Sequence, residues 1–146
     1  MLLTIIISTY NWPEALKNVL LSLDVQKDYP FEVVIADDGS DARTKQMIDM
    51  MRQSMHFPIQ HIWQEDKGFY VGMIRNKAIA ASRGDFIVFI DHDCITSKHF
   101  VKYHYKYAEE NHFVTFSRIH INQDLTNQII NDSLRIYDKT FVWYLR

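Results

Sequence analysis

The stretch that most constrains this chain is Phe86-Ile87-Val88-Phe89-Ile90-Asp91-His92-Asp93, an apolar run that stops at two carboxylates bracketing an imidazole. A short run rich in β-branched and aromatic residues predicts a strand buried in a parallel sheet. Gly84-Asp85 supplies the turn before it. Asp91 and Asp93 share a side if strand geometry continues, which directs His92 to the other. Two hard oxygen donors at the carboxyl end of a buried strand form half a cage for Mg²⁺ or Mn²⁺, with the open positions left to water and substrate phosphates. An isolated Asp-x-Asp is more often a pair of solvated loop carboxylates, so the rest of the chain must decide.

At 146 residues, 47% of them hydrophobic, the chain has the size of one ordinary domain with a sizeable core. A net charge of −2 gives no global attraction to nucleic acid. Cys94 is the sole cysteine, which excludes an intrachain disulfide and suits a reducing compartment. The first apolar run, Leu2 to Ile7, is too short to span a bilayer and lacks the flanks of a signal peptide. A soluble cytoplasmic protein is expected, one that could work at the inner face of a membrane.

Strand and helix patterns alternate. Leu2 to Ile7 and Phe31 to Ala36 read as strands, and Phe57 to Trp63 as a third strand placed near a sheet edge by its proline. Pro13 and Glu14 suit the first turn of a helix carrying Leu16, Val19, Leu20 and Leu23. Asp41 or Ser40 can cap a second helix with Thr44, Met47, Ile48 and Met51 inward. Ile74, Ala78 and Ala81 mark a third helix, and Phe100, Val101, His104, Tyr105 and Ala108 a fourth. Phe113 to Phe116 reads as a further strand and Asp132 to Asp138 as a weak helix. Such alternation predicts an α/β domain with a mostly parallel, Rossmann-like sheet and helices on both faces.

Three polar clusters then fall at strand ends: Ser8 to Asn11, Asp37 to Ser40, and Asp91 to Asp93. Parallel sheets bind ligands in the crevice beyond those ends. Tyr10 offers a flat face for stacking a base, and Thr9 and Asp38 can accept from its N–H groups. Asp91 can accept from ribose hydroxyls, Asp93 can ligate metal, and Lys67 and Arg75 can neutralise a diphosphate. The structural alternatives are Tyr10 covering the sheet end and Arg75 pairing with Glu65, Asp66 or Asp85. No glycine phosphate loop follows a strand, so a metal would carry the phosphate charge. Its absence also disfavours a nucleotidyltransferase.

Four segments in order carry a resemblance: Ile5 to Asn11, Val34 to Ser40, Arg75-Asn76-Lys77-Ala78, and Gly84 to Asp93. Together they look like a family 2 glycosyltransferase, and Gln64-Glu65-Asp66-Lys67-Gly68-Phe69 resembles a subgroup that builds bacterial capsule and lipopolysaccharide glycans. The resemblance, over roughly residues 2 to 117, implies an inverting enzyme with the GT-A nucleotide-diphospho-sugar fold. It implies that Thr9, Tyr10 and Asp38 hold the base, usually uracil, with Asn11 in the same cluster. Asp91 would contact the ribose and, with Asp93, the divalent cation. The region from Lys67 through Gly68 and Arg75 to Asn76 would line the donor pocket. His92 departs from the subgroup, which has a small residue there, and would narrow the donor site.

The resemblance further implies a UDP-sugar donor and a glycan acceptor in surface polysaccharide synthesis. Its catalytic base belongs to a later segment, short or missing here, so truncation at the C-terminus is expected. Asp124, Asp132 and Asp138 match no motif, and no base is assigned. The alternative is a non-catalytic module that binds nucleotide-sugar. Phe141 to Leu145 is an apolar run expected to pack on the domain, to pair copies of the chain, or to have lost a segment that once covered it.

Overall fold

The computed structural model describes residues 1–132 and 134. The apolar Phe141 to Leu145 run, Asp138, and all but two residues of the Asp132 to Asp138 stretch lie outside the described residues. Strands β1 (Leu3–Thr9), β2 (Phe31–Asp37), β3 (Ile59–Trp63) and β4 (Phe86–Asp91) form one parallel sheet in the order β3-β2-β1-β4. Every residue of β1 and β2 is buried: the apolar Ile5 to Ile7 and Val33 to Ala36 form the core, and the polar Thr4 and Glu32 hydrogen-bond to each other at 2.8 Å. Each isoleucine so enclosed contributes about 1.5–3 kcal/mol relative to exposure.

The helices are α1 (Pro13–Asp24), α2 (Ala42–Arg52), α3 (Val71–Ala81), α4 (Phe100–Tyr107) and α5 (Gln123–Ile130). Pro13 opens α1, and the Asp41 carboxylate caps α2 by accepting from the Arg43 amide at 3.0 Å. Leu16, Val19, Ile48 and Val101 pack with Ile5, Ile7, Val33 and Ile35, so α1, α2 and α4 share one face of the sheet. On the other face Ile74 and Ala78 of α3 meet Ile6, Val34 and Ala36. Helices therefore cover both faces, as expected.

The chain lays β1, β2 and β3 outward in one direction, then returns through α3 to set β4 on the far side of β1. That reversal opens a crevice at the carboxyl ends of β1 and β4, where open parallel sheets take ligands.

Two expectations are corrected and one helix is added. β4 is an outer strand, not an enclosed one: only β1 pairs with it among the described residues, and Phe89 is 46% exposed. Phe113 to Phe116 forms no strand, because its backbone joins no ladder and Phe113 is 89% exposed. A helix the sequence did not announce, α5, is capped by Asn122 accepting from Leu125 N–H at 2.9 Å. β3 lies at the sheet edge, as its proline indicated.

Candidate functional site

The rim begins where β1 ends. Asn11 has a φ of 47°, a left-handed turn that asparagine tolerates. Its amide donates to Ser40 Oγ at 2.9 Å, and its side-chain oxygen accepts from the Asp41 amide at 2.8 Å. Asn11 therefore ties the first polar cluster to the second. Asp37 braces the second from below: its carboxylate accepts from the Ser40 amide and lies 2.8 Å from His61 Nε2.

Asp38 is buried, and its amide donates to the Thr9 carbonyl at 3.0 Å. One carboxylate oxygen accepts from Gln64 Nε2 at 2.6 Å, the other from the Tyr70 amide at 2.9 Å. Gln64, itself buried, accepts in turn from Lys77 Nζ at 3.0 Å. The loop from Gln64 to Tyr70 is thus pinned at both ends by one carboxylate. It lies so close to Gly39 (φ 101°) that a Cβ there would come within 2.6 Å of the Asp66 backbone. Gln64 and Lys77 escaped the sequence reading, although Gln64 heads the subgroup motif.

The loop reaches back to Tyr10, whose hydroxyl donates to Asp66 Oδ2 at 2.8 Å. That bond and the Asp66 charge raise the phenol's pKa, while the Gly68 amide and Tyr10 hydroxyl hold the Asp66 carboxyl down. The Tyr10 ring stays 47% exposed, oriented by its tip but free on its face. Gly68 supplies the turn with a φ of 100°. Lys67 is exposed and sits 3.0 Å from Glu65, so its ion pair is within its own loop.

Arg75 joins β1 to β4. Its Nε donates to Ser8 Oγ at 2.8 Å and its terminal nitrogen to Asp91 Oδ1 at 2.9 Å. The structural alternative of a pairing with Glu65, Asp66 or Asp85 gives way to Asp91, because the strand order sets Asp91 beside Ser8 under α3. Arg118, from the irregular segment after α4, approaches Asp91 Oδ2 at 4.0 Å.

His92 turns to the opposite face from Asp91, as strand alternation requires. Its Nδ1 accepts the Tyr10 amide at 3.2 Å and lies 3.1 Å from Thr9 Oγ1, with the ring edge-on to Trp12. An accepting Nδ1 places the proton on Nε2. Burial lowers its pKa against the opposing pull of Asp93 and Asp91.

Ligand atoms of Asp91, Asp93 and Cys94 lie within 4.8 Å of one another. Asp93 is exposed and accepts only from the Cys94 thiol, at 3.6 Å. Burial pushes that thiol's pKa up, and a soft sulfur donor matches a hard divalent cation less well than the two carboxylates do. The carboxylate pair fits a hard divalent cation such as Mg²⁺ or Mn²⁺. The rim thus gathers Thr9, Tyr10, Asn11, Asp38, Gly68, Arg75, Asp91 and Asp93, with Lys67 on its margin.

The parallel sheet with helices on both faces and its crevice at the β1–β4 switch point has the GT-A architecture. The chain is a member of glycosyl transferase family 2, whose sequence profile matches residues 4–143. It is 38% identical over 109 residues to the uncharacterized glycosyltransferase YfnE of Bacillus subtilis, covering 74% of this chain and 27% of that protein. It is 30% identical over 112 residues to the poly(ribitol-phosphate) beta-N-acetylglucosaminyltransferase TarS of Staphylococcus aureus, covering 75% of this chain and 19% of TarS. The chain thus spans about a quarter or less of these relatives.

The crystal structure of TarS 1-349 in complex with UDP-GlcNAc superposes with a TM-score of 0.62 at 30% identity, over 73% of this chain and 30% of that one. The mannosyltransferase PcManGT from Pyrobaculum calidifontis, solved with GDP-Man and Mn²⁺, shares the fold with a TM-score of 0.59 at 24% identity, over 66% of this chain and 29% of that one.

Proposed function

We propose that this chain is the donor-binding part of an inverting, metal-dependent glycosyltransferase. It takes its sugar from a UDP-sugar and delivers it to a glycan acceptor in bacterial surface polysaccharide synthesis. The observation that carries the reading is the convergence of Asp91 and Asp93 at the β1–β4 switch point, beside a tyrosine oriented by its hydroxyl with its face open. The TarS complex with UDP-GlcNAc supports the donor class, and TarS and the hyaluronan synthase of Pasteurella multocida, 36% identical over 92 residues, support the glycan class.

In this reading the uracil lies on the Tyr10 ring. Thr9 and Asp38 read its edge, Asp38 through the lone pairs its oxygens keep after Gln64 and Tyr70. Asn11 and Gly68 hold the two walls, and Lys67 adds positive charge at the entrance. Asp91 accepts from the ribose while Arg75 fixes its carboxylate orientation. Asp93, with Asp91, holds Mn²⁺ or Mg²⁺, which when bound offsets charge on the departing nucleoside diphosphate. Inversion needs a base that takes the acceptor proton. Asp132 is paired with Lys17 at 2.8 Å.

Titration calorimetry of UDP with and without Mn²⁺, followed by donor hydrolysis and transfer assays, tests the reading. Saturable, cation-dependent UDP binding is expected. Absence of UDP binding under both conditions overturns it, while binding without turnover identifies a nucleotide-sugar-binding module.

A further inference from the structure

Residues 94 to 108 contain no aspartate or glutamate but hold Lys98, Lys102 and Lys106 at four-residue spacing. His99, Tyr103 and Tyr107 repeat the same spacing one position on. Lys102, Lys106, Tyr103 and Tyr107 lie on α4 in two adjacent rows, Lys98 and His99 occupy the turn just before it, and all six residues are exposed. The opposite face of α4 is buried through Val101 and His104. None of the three lysines has an ion pair among the described residues. Their one recorded contact is Lys106 over the Tyr107 ring, 5.0 Å from its centroid. The aromatic row is continuous, with ring centroids 6.1 Å apart for His99–Tyr103 and 6.5 Å for Tyr103–Tyr107.

The position of this face matters as much as its charge. The Val101 amide donates to Gln26, just beyond the end of α1. The Tyr105 hydroxyl donates to the carbonyls of Met1 and Pro30, just before β1 and β2. The helix therefore lies at the amino end of the sheet, opposite the Asp91–Asp93 rim. A cleft of about 320 Å³ adjoins it, but Asp28 stands there beside Lys98 and Lys102 and disfavours a discrete anion.

We infer that the exposed lysines and tyrosines of α4, with Lys98 in the turn before it, form a docking surface for an anionic lipid bilayer, holding the carboxyl rim away from the membrane. Lys102 and Lys106 are one helical turn apart on α4, and Lys98 stands in the turn that leads into it. Lysine stems and tyrosine rings are apolar along their length and polar at the tip, which suits the headgroup layer. Among the described residues no helix is long and apolar enough to cross a membrane. The strength of the docking comes from charge and is weak for each residue, so it depends on the whole set.

The test is co-sedimentation of the 146-residue chain with vesicles of phosphatidylcholine alone or of equimolar phosphatidylcholine and phosphatidylglycerol, across a salt series. Binding to the anionic vesicles that falls with salt is expected, with none to the neutral ones. Lys98→Gln, Lys102→Gln and Lys106→Gln should each lower partitioning about fivefold, and together about 100-fold. Tyr103→Ala with Tyr107→Ala should lower it several-fold. UDP titration of the triple variant should match the parent, separating this surface from the donor site. Equal binding to both vesicle types, undiminished binding by the triple variant, or capture of soluble heparin without any vesicle binding overturns the inference.

Discussion

The two ends of the sheet use carboxylates in opposite ways. At the amino end Glu32 is 1% exposed and its acceptors are heavily used. One oxygen accepts from Thr4 Oγ1 at 2.8 Å and the Arg83 amide at 2.7 Å, the other from the Arg83 guanidinium at 2.8 and 2.6 Å. Thr4 Oγ1 also accepts from the Gly84 amide, in a space where a Cβ on Gly84 would approach within 2.5 Å. At the carboxyl end Asp93 is exposed with a single weak donor, and Asp91 has one oxygen engaged and the other 4.0 Å from Arg118. A buried carboxylate with saturated acceptors holds the fold together. A rim carboxylate with acceptors to spare is available to a ligand.

The largest effect should come from breaking the closed end. Glu32→Ala removes the acceptor of Thr4 and of Arg83, and should cost about 2–4 kcal/mol in urea-induced unfolding. Arg83 can be solvated, which keeps the cost below that of a wholly enclosed pair. Burial alone would raise the Glu32 pKa, but the Arg83 amide, its guanidinium and Thr4 bring it down overall. The contribution is therefore present above the unfolded carboxyl pKa of about 4.3 and is lost as pH falls through the lower folded value. UDP affinity of the folded fraction should not change. A matching loss of UDP affinity would show that the two ends are not separable.

The reverse experiment is Asp93→Ala. An exposed carboxylate with one weak partner should shift stability by no more than about 0.5 kcal/mol. Cation-dependent UDP binding, read by calorimetry with Mn²⁺ and with EDTA, should disappear. If affinity is the same in both conditions for parent and variant, Asp93 holds no cation.

These contrasts were partly legible in the sequence. The continuous apolar runs of β1 and β2 needed only strand chemistry, and Pro13 and Asp41 announced their helices locally. The three rim clusters followed from where those runs stop. The outer position of β4 was not legible, because an apolar run records hydrophobicity and not how many neighbours a strand has. Arg75 was weighed against acids near it in sequence, whereas its partner Asp91 becomes a neighbour only through the return of the chain beside β1. Gln64 and Lys77 act through Asp38, and a glutamine carries no sequence sign of the carboxylate it will serve. α5 was missed although Asn122 is a readable cap, because the apolar pattern after it is short.

Asp38 stands between the two extremes, buried like Glu32 but placed at the rim. Asp38→Ala should weaken UDP by about 1–3 kcal/mol and inorganic pyrophosphate much less, if Asp38 reads the base. Equal losses for both ligands would assign Asp38 to holding the Gln64–Tyr70 loop alone. Gln64→Ala sharpens the distinction: it removes the Lys77 link while leaving the carboxylate, and should cost less than Asp38→Ala against UDP.

The smallest effect is a pH dependence seated at the amino end. His104 is 5% exposed, between the rings of Phe100 and Phe116 at centroid distances of 4.2 and 4.5 Å. Its Nδ1–H donates to the Phe100 carbonyl at 2.8 Å, a bond the neutral ring already makes. Burial lowers its pKa, with that carbonyl opposing. Below the ordinary imidazole pKa of about 6.5 the unfolded chain takes a proton that the folded chain resists, so stability is full above that value and declines as pH falls. Thermal midpoints should drop between about pH 7.5 and about pH 5.5, and His104→Phe should remove part of that slope. His92, also lowered by burial, accounts for a further part in the same direction. An unchanged slope in His104→Phe would mean that His104 takes up its proton as readily in the folded chain as in the unfolded one.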